Sequence, residues 1–224
     1  EVHMIIETIK MRHSTRKFLP YGLSSEERER LVDFFEVIPT LHSLRLKWAL
    51  KDLNKGSTAI YAPCTNKPNC LVEYGFQGEI IVLEVTKMGL GSCWNAGIRE
   101  SGSPAGIIIG KEDQGKFGIN DILTGMGRRK ELRVLIDGPV PEDERLLQIL
   151  ESCRLAPSSM NRQPWRFSVH KGDLYIWTKA NLIGGSHWLD LGIVLSHAYV
   201  TALEFFQKVS IEKAAGDRYR VIMK

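Results

Sequence analysis

One spacing recurs along this chain and constrains its fold more than anything else in it. The apolar stripe Leu31, Phe34, Phe35 and Ile38 occupies the i, i+3, i+4 and i+7 positions of a helix face. It returns as Leu146, Ile149, Leu150 and Cys153 at an offset of 115 (146 − 31). Trp165 lies 117 positions after Trp48, Gly172 lies 116 after Gly56, and Gly192 lies 117 after Gly75. Landmarks of different kinds at one period describe a helix, hairpin and long-helix unit used twice. The two long apolar segments, 71–88 and 188–206, carry apolar residues around too much of their circumference for a surface helix. Two pseudo-equivalent halves, 4–125 and 126–224, are therefore expected to pack through them.

Local signals fill in an α+β chain. Ser24 and Glu27 form a capping box at the head of a helix over 24–38, and a second helix runs over 141–153. Residues 4–10 read as a short helical lead-in. Asn54-Lys55-Gly56-Ser57 is a turn before a short strand at 59–62, and 105–109 and 132–137 read as further strands. Gly89 closes the first long helix, where glycine supplies a left-handed terminal residue. Asp190 and His197 interrupt the second one, which makes it a buried helix and not a membrane span.

Three stretches carry chemistry. In 156–167, Pro157 and Pro164 stiffen a loop in which Ser158, Ser159, Asn161 and Gln163 offer donors and acceptors together, equipment for gripping a flat heterocycle with polar edges. An ordinary helix-to-strand connection is the alternative; Met160 and Trp165 read as packing residues. In 12–18, Arg12, Ser14 and Arg16 alternate, so an extended backbone would turn two cations and a hydroxyl toward one anion, unless the segment is merely basic and exposed. In 89–97, Gly89, Gly91, Asn95 and Gly97 surround Trp94, which stands where a dinucleotide fingerprint needs its third glycine, after a helix instead of a strand. Close backbone approach to a ligand and a plain helix-stop turn are both open there.

These stretches resemble the FMN-dependent nitroreductase-like flavoproteins, whose pattern beside the flavin ring runs Ala-Pro-Ser, two residues, Asn, one residue, Gln-Pro-Trp; residues 156–165 match it throughout. The resemblance implies a nitroreductase-like fold with a central, mostly antiparallel sheet flanked by helices. It implies FMN, held by Arg12, Ser14 and Arg16 at the phosphate and ribityl chain, by the glycine segment, and by Pro157, Ser158, Ser159, Asn161 and Gln163 around the ring. Arg128 and Arg129 occupy a place where that family supplies further phosphate-binding cations; as residues alone they could equally be solvated. Such flavoproteins are homodimers with composite sites, so this chain resembles a dimer fused into one polypeptide, a monomer or a homodimer of fused chains. Only the first half keeps the Arg-Ser-Arg set and only the second keeps the ring loop. One complete FMN site per chain is the consequence.

Composition narrows the remaining functions. A net charge of +4 suits an anionic ligand and is too small and dispersed for a nucleic-acid binder. With 43% hydrophobic and 25% charged residues the chain is an ordinary globular protein. Cys64, Cys70, Cys93 and Cys153 lack zinc-site spacing and are read as reduced thiols of a cytoplasmic protein without a membrane partner. No nucleophile stands at recognisable spacing from a base, which fits chemistry performed by a flavin. The resemblance thus implies an oxidoreductase that takes electrons from NAD(P)H and passes them to a small electron-poor acceptor, a nitroaromatic or a quinone. Its rival is a flavin-binding or flavin-free protein that keeps the scaffold without turnover.

Overall fold

The computed structural model describes residues 4–113, 128–179 and 187–224. Its centre is a pair of helices, α3 (Pro68–Lys87) and α6 (His187–Ala202), packed along each other with most of their residues buried. Glycine permits their approach. A Cβ on Gly75 would run into the Leu189 carbonyl oxygen and lie 3.0 Å from the Ile193 nitrogen. One on Gly192 would run into the Val72 carbonyl oxygen and lie 2.7 Å from the Phe76 nitrogen. Leu189 follows Val72, and Ile193 follows Phe76, by the same 117 positions (189 − 72) that separate the glycines. The contact is therefore self-complementary, as at the two-fold axis of a dimer.

Two similar layers flank this pair. Strands β1 (Ala49–Asp52), β2 (Thr58–Tyr61), β3 (Gly91–Asn95) and β4 (Gly106–Gly110) form an antiparallel sheet in the order β1-β2-β4-β3. Strands β5 (Trp165–His170), β6 (Asp173–Thr178), β7 (Val209–Lys213) and β8 (Tyr219–Met223) form another in the order β5-β6-β8-β7. Hairpin, long helix, hairpin is the plan of both. Ahead of the hairpins stand α2 (Ser25–Val37), closed by the expected capping box between Ser24 and Glu27, and α5 (Glu144–Arg154), capped by Asp143. Both predicted stripes face the core: Leu31, Phe35 and Ile38 from one, and Leu146, Ile149, Leu150 and Cys153 from the other. Helix α1 (Met4–Met11) lies against α3, α5 and α6 through Ile5, Ile6 and Ile9.

Four expectations are corrected. Residues 132–137 begin as a one-turn helix, α4 (Leu132–Leu135), because Leu132, Leu135 and Ile136 have i, i+3, i+4 spacing and the Ile136 N–H donates to the Leu132 carbonyl. Ile136 then bridges Phe167, which lays residues 136–137 along the β5 edge. Gly91 to Asn95 form a strand, not a turn, since the chain has entered the sheet by Gly91. Met160 is 75% exposed instead of packed, thrown outward by left-handed backbone at Met160, Asn161 and Gln163. Cys64 and Cys70 are joined in a disulfide, not reduced: the chain doubles back between β2 and α3 and brings their Cα atoms to 6.0 Å, within bridging distance. Cys93 and Cys153 take no part in that bond. The division between residues 125 and 126 falls outside the described residues. Among the described residues no helix is long and apolar enough to cross a membrane.

Candidate functional site

Where α1 ends, the Arg12 N–H still donates to the Thr8 carbonyl, and the chain then straightens. Ser14 bridges Ser92 of β3, and the Thr15 N–H donates to the Ser92 carbonyl at 2.8 Å. This turns Arg12 inward, to 9% exposure, with its Nε 3.9 Å from Glu79 Oε1 of α3 and without a hydrogen-bond partner among the described residues. Ser14 is half-buried beside it. Arg16 goes elsewhere, into a cleft of about 410 Å³ that it shares with Lys17, Asn54, Lys55, Ser57 and Asp113. Arg12 and Arg16 do not converge.

The second half contributes a clasp. The Arg129 guanidinium donates to Asn161 Oδ1 at 2.6 Å and to the Leu155 carbonyl at 3.2 Å, while the exposed Arg128 contributes its carbonyl, which accepts from Asn161 Nδ2 and Gln163 Nε2. Gln163 Oε1 accepts the Lys130 N–H at 2.7 Å, and Ser158 Oγ accepts the Gln163 N–H at 2.9 Å. Both carboxamides expected to face a ligand thus bind residues 128–130 to the loop. Asn161 and Gln163 hold positive φ values of 53° and 50°, costly for non-glycine residues and maintained by this bonding. Pro157 is buried, and Ser159 is pinned through its N–H, which donates to Asp190 Oδ1 of α6.

Charge gathers where the halves meet. Arg129 is lowered to about 10, first by burial, then by Arg12 and Arg154, against the opposing pull of Glu79; burial likewise lowers Arg12. Arg154 pairs with Glu151 at 2.6 Å. Arg12 and Arg129, close enough to repel, therefore have Glu79 as their shared counter-charge, an arrangement suited to an incoming anion. The glycine segment has local duties instead. Gly89, at φ 74°, ends α3, Gly91 leaves room for the Thr15 side chain, and Asn95 Oδ1 accepts the Gly97 N–H at 2.7 Å in a turn.

A family model described as "Putative TM nitroreductase" matches residues 4–202. The chain belongs to this nitroreductase family. A Thermotoga maritima protein of known structure, described as a "putative nitroreductase", is 34% identical over 100% of this chain and 95% of its own, with a TM-score of 0.81. A nitroreductase family protein of Clostridium difficile is 15% identical over 61% of this chain and 98% of its own; its TM-score of 0.43 adds nothing to the assignment. No curated protein matches. The family makes the chain an oxidoreductase of nitroreductase type.

Sequence reasoning misses Glu79, the partner of Arg12, and with it Trp94 and His197, which bond to Glu79. The one available signal was a carboxylate inside an apolar helix, since buried acids are rare unless paired. Its neighbour Glu73 gives the duplication a further landmark. Glu73 accepts the His42 N–H at 2.7 Å, and Asp190 accepts the Ser159 N–H at 2.9 Å; acceptor and donor each shift by 117 (190 − 73, 159 − 42). Each long helix pins the loop before its own hairpin.

The Asp190 pin is sensitive to pH. Burial raises its carboxyl from 3.8 to about 6, opposed by the Ser159 N–H and Arg162, and Oδ2 has no partner among the described residues. A raised folded-state value for an acid means that the folded state holds the proton more tightly than the unfolded chain. Stability from this group is present below about pH 4 and falls as pH rises to about 6, by up to roughly 3 kcal/mol. Asp190→Asn keeps an acceptor for Ser159 and should lose that slope. Urea unfolding between pH 4 and 7 checks it, and parallel stability curves for the two proteins would refute it.

Proposed function

We propose that the chain is an FMN-dependent enzyme that takes electrons from NAD(P)H and reduces a small electron-poor acceptor, a nitroaromatic or a quinone, in alternating half-reactions at one site. The observation that carries this reading is Arg12: a guanidinium nine-tenths buried, its Nε without a hydrogen bond and 3.9 Å from Glu79 Oε1, lies close enough to a second cation, Arg129, for each to feel the other's charge. Such a pair wants an anion, and a flavin phosphate supplies one. Arg12, Ser14 and Arg129 would hold the phosphate, and the 157–163 loop the ring. When bound, FMN would supply the transfer of electrons from the nicotinamide to the acceptor. The protein's part would be placement: the clasp between 128–130 and the loop fixes the wall on which the ring would rest.

Flavin-stripped protein should bind FMN, bleach with NADH or NADPH under anaerobic conditions, and recover its colour when an acceptor is added. Absence of FMN binding would end the reading. A second reading, flavin binding without turnover, draws on the internal bonding of Asn161 and Gln163; binding without nicotinamide bleaching would select it.

Stoichiometry provides a separate check. At the positions 117 before Asn161 and Gln163 stand Leu44 and Leu46, and the first-half loop is pinned by Glu73 while His42 bonds the Tyr219 hydroxyl at 2.9 Å. The equivalent location therefore lacks the carboxamides of the ring loop. Calorimetric titration should saturate at about one FMN per chain, and two equal sites would contradict it.

A further inference from the structure

At the junction of the halves lies a polar network that the proposed chemistry does not use. Glu79 is fully buried in α3, yet three other elements converge on its carboxylate. Trp94 Nε1 of β3 donates to Oε2 at 2.8 Å, His197 Nε2 of α6 lies 3.0 Å from Oε1, and Arg12 Nε lies 3.9 Å from the same oxygen. His197 is itself fully buried, and its Nδ1 donates to the Ser152 carbonyl at 2.8 Å. Both its ring nitrogens have partners, which fixes the orientation of the ring.

We propose that Glu79 is a positioning residue for the anion site: its carboxylate holds the Arg12 guanidinium by the Nε side and the β3 edge through Trp94, leaving the Nη nitrogens of Arg12 for the ligand, while His197 from the opposite long helix locks the carboxylate. The proposal rests on the flavin reading for the identity of the ligand, not for the network itself.

The duplication separates this role from mere support of the fold. Counterparts of Glu79 and Trp94, 117 positions on, are Ser196 and Ile211, and that of His197, 117 positions back, is Ile80. Ser196 is buried and satisfied within its own helix, donating to the Ile193 carbonyl at 2.7 Å. The scaffold therefore closes at this place without a carboxylate, an indole or an imidazole. A buried acid costs stability relative to an apolar residue unless it is fully paired. All three polar residues occur on the side that carries Arg12; the counterpart of Arg12, 117 positions on, is Arg129, which donates instead to Asn161 Oδ1 and the Leu155 carbonyl. A guanidinium is a planar fork, so anchoring its Nε side sets the direction of the other two nitrogens.

Glu79→Gln tests this in the full chain, since it keeps the shape and removes the charge. In flavin-free protein, nitrogen-15 spectra should show the Trp94 indole N–H shifted and the Arg12 Nε–H lost to solvent exchange, the two signals being assigned with Trp94→Phe and Arg12→Lys. FMN affinity, by fluorescence titration, should fall at least about ten-fold. Ile81→Val, a core trim within the same helix, should lower the melting temperature without changing FMN affinity, which distinguishes positioning from general loosening. Folded Glu79→Gln with both signals unmoved, or with unchanged FMN affinity, overturns the proposal. Should the wild type bind no FMN, the flavin reading fails and the two resonances alone decide the role of Glu79. Should Glu79→Gln not fold, Trp94→Phe serves instead: a shifted Arg12 Nε–H supports the shared anchor, and an unshifted one refutes it.

Discussion

Gly192→Ala should lower the stability of the native protein by about 3 kcal/mol or more. The new methyl group would strike the Val72 carbonyl oxygen and lie 2.7 Å from the Phe76 nitrogen, so the obstacle is main chain of a neighbouring helix rather than a side chain able to rotate away. Overpacking ordinarily costs about 1–3 kcal/mol when side chains can adjust. Here relief requires α3 and α6 to separate along a contact made of buried residues from both, and the loss should reach or exceed the top of that range. Total stability of a domain is about 5–15 kcal/mol, so a cost of this size takes a large share. Gly75→Ala should behave alike, because its Cβ meets Leu189 and Ile193 at the equivalent place. Gly22→Ala, with nothing within 4 Å of the added carbon, should stay within about 0.5 kcal/mol of wild type. Urea unfolding followed by circular dichroism measures all three. A Gly192→Ala protein melting within a few degrees of wild type would mean that the helices do not meet as closely as described.

That glycine pair also shows what the sequence discloses and what it withholds. Gly75 and Gly192 were visible as an offset because symmetry about a shared contact demands the same small residue on both helices. Capping at Ser24 and the stripes of α2 and α5 were visible because they depend on residues within one or two turns. Leu132 to Leu135 was misread for the opposite reason: a short apolar run obeys the helical and the extended period equally well, and packing against α5 and β5 decides between them. Met160 depended on left-handed backbone that no neighbouring glycine announces. The Cys64–Cys70 bond depended on a chain reversal, and spacing alone does not reveal that the two sulfurs meet. In the site, the 156–165 motif located the loop but not the use of its amides. Asn161 and Gln163 are the residue types a ligand would need, and also those a clasp on residues 128–130 needs. Glu79 was hidden for want of partners: Arg12, Trp94 and His197 lie between 15 and 118 positions away, and only the folded chain brings them to it.

Arg12→Ala should reduce FMN affinity roughly 100- to 1,000-fold, since removing one member of a buried charge arrangement costs about 2–5 kcal/mol, part of it from leaving Glu79 short of a partner. Arg128→Ala should cost at most about 1 kcal/mol: the side chain is exposed, and the carbonyl that accepts from Asn161 and Gln163 survives the substitution. Arg129→Ala should fall between them, because it removes a cation and also the donors to Asn161 Oδ1 and the Leu155 carbonyl, freeing the loop as well as weakening the field. The order Arg12, Arg129, Arg128 thus follows burial and the atoms each residue commits, not charge, which is the same in all three. Fluorescence titration of flavin-stripped protein gives the three affinities, with thermal melting to show that each variant is folded. Equal losses at Arg12 and Arg128 would move the phosphate away from the α1 terminus and toward the exposed rim, and the composite site between the halves would lose its first-half anchor.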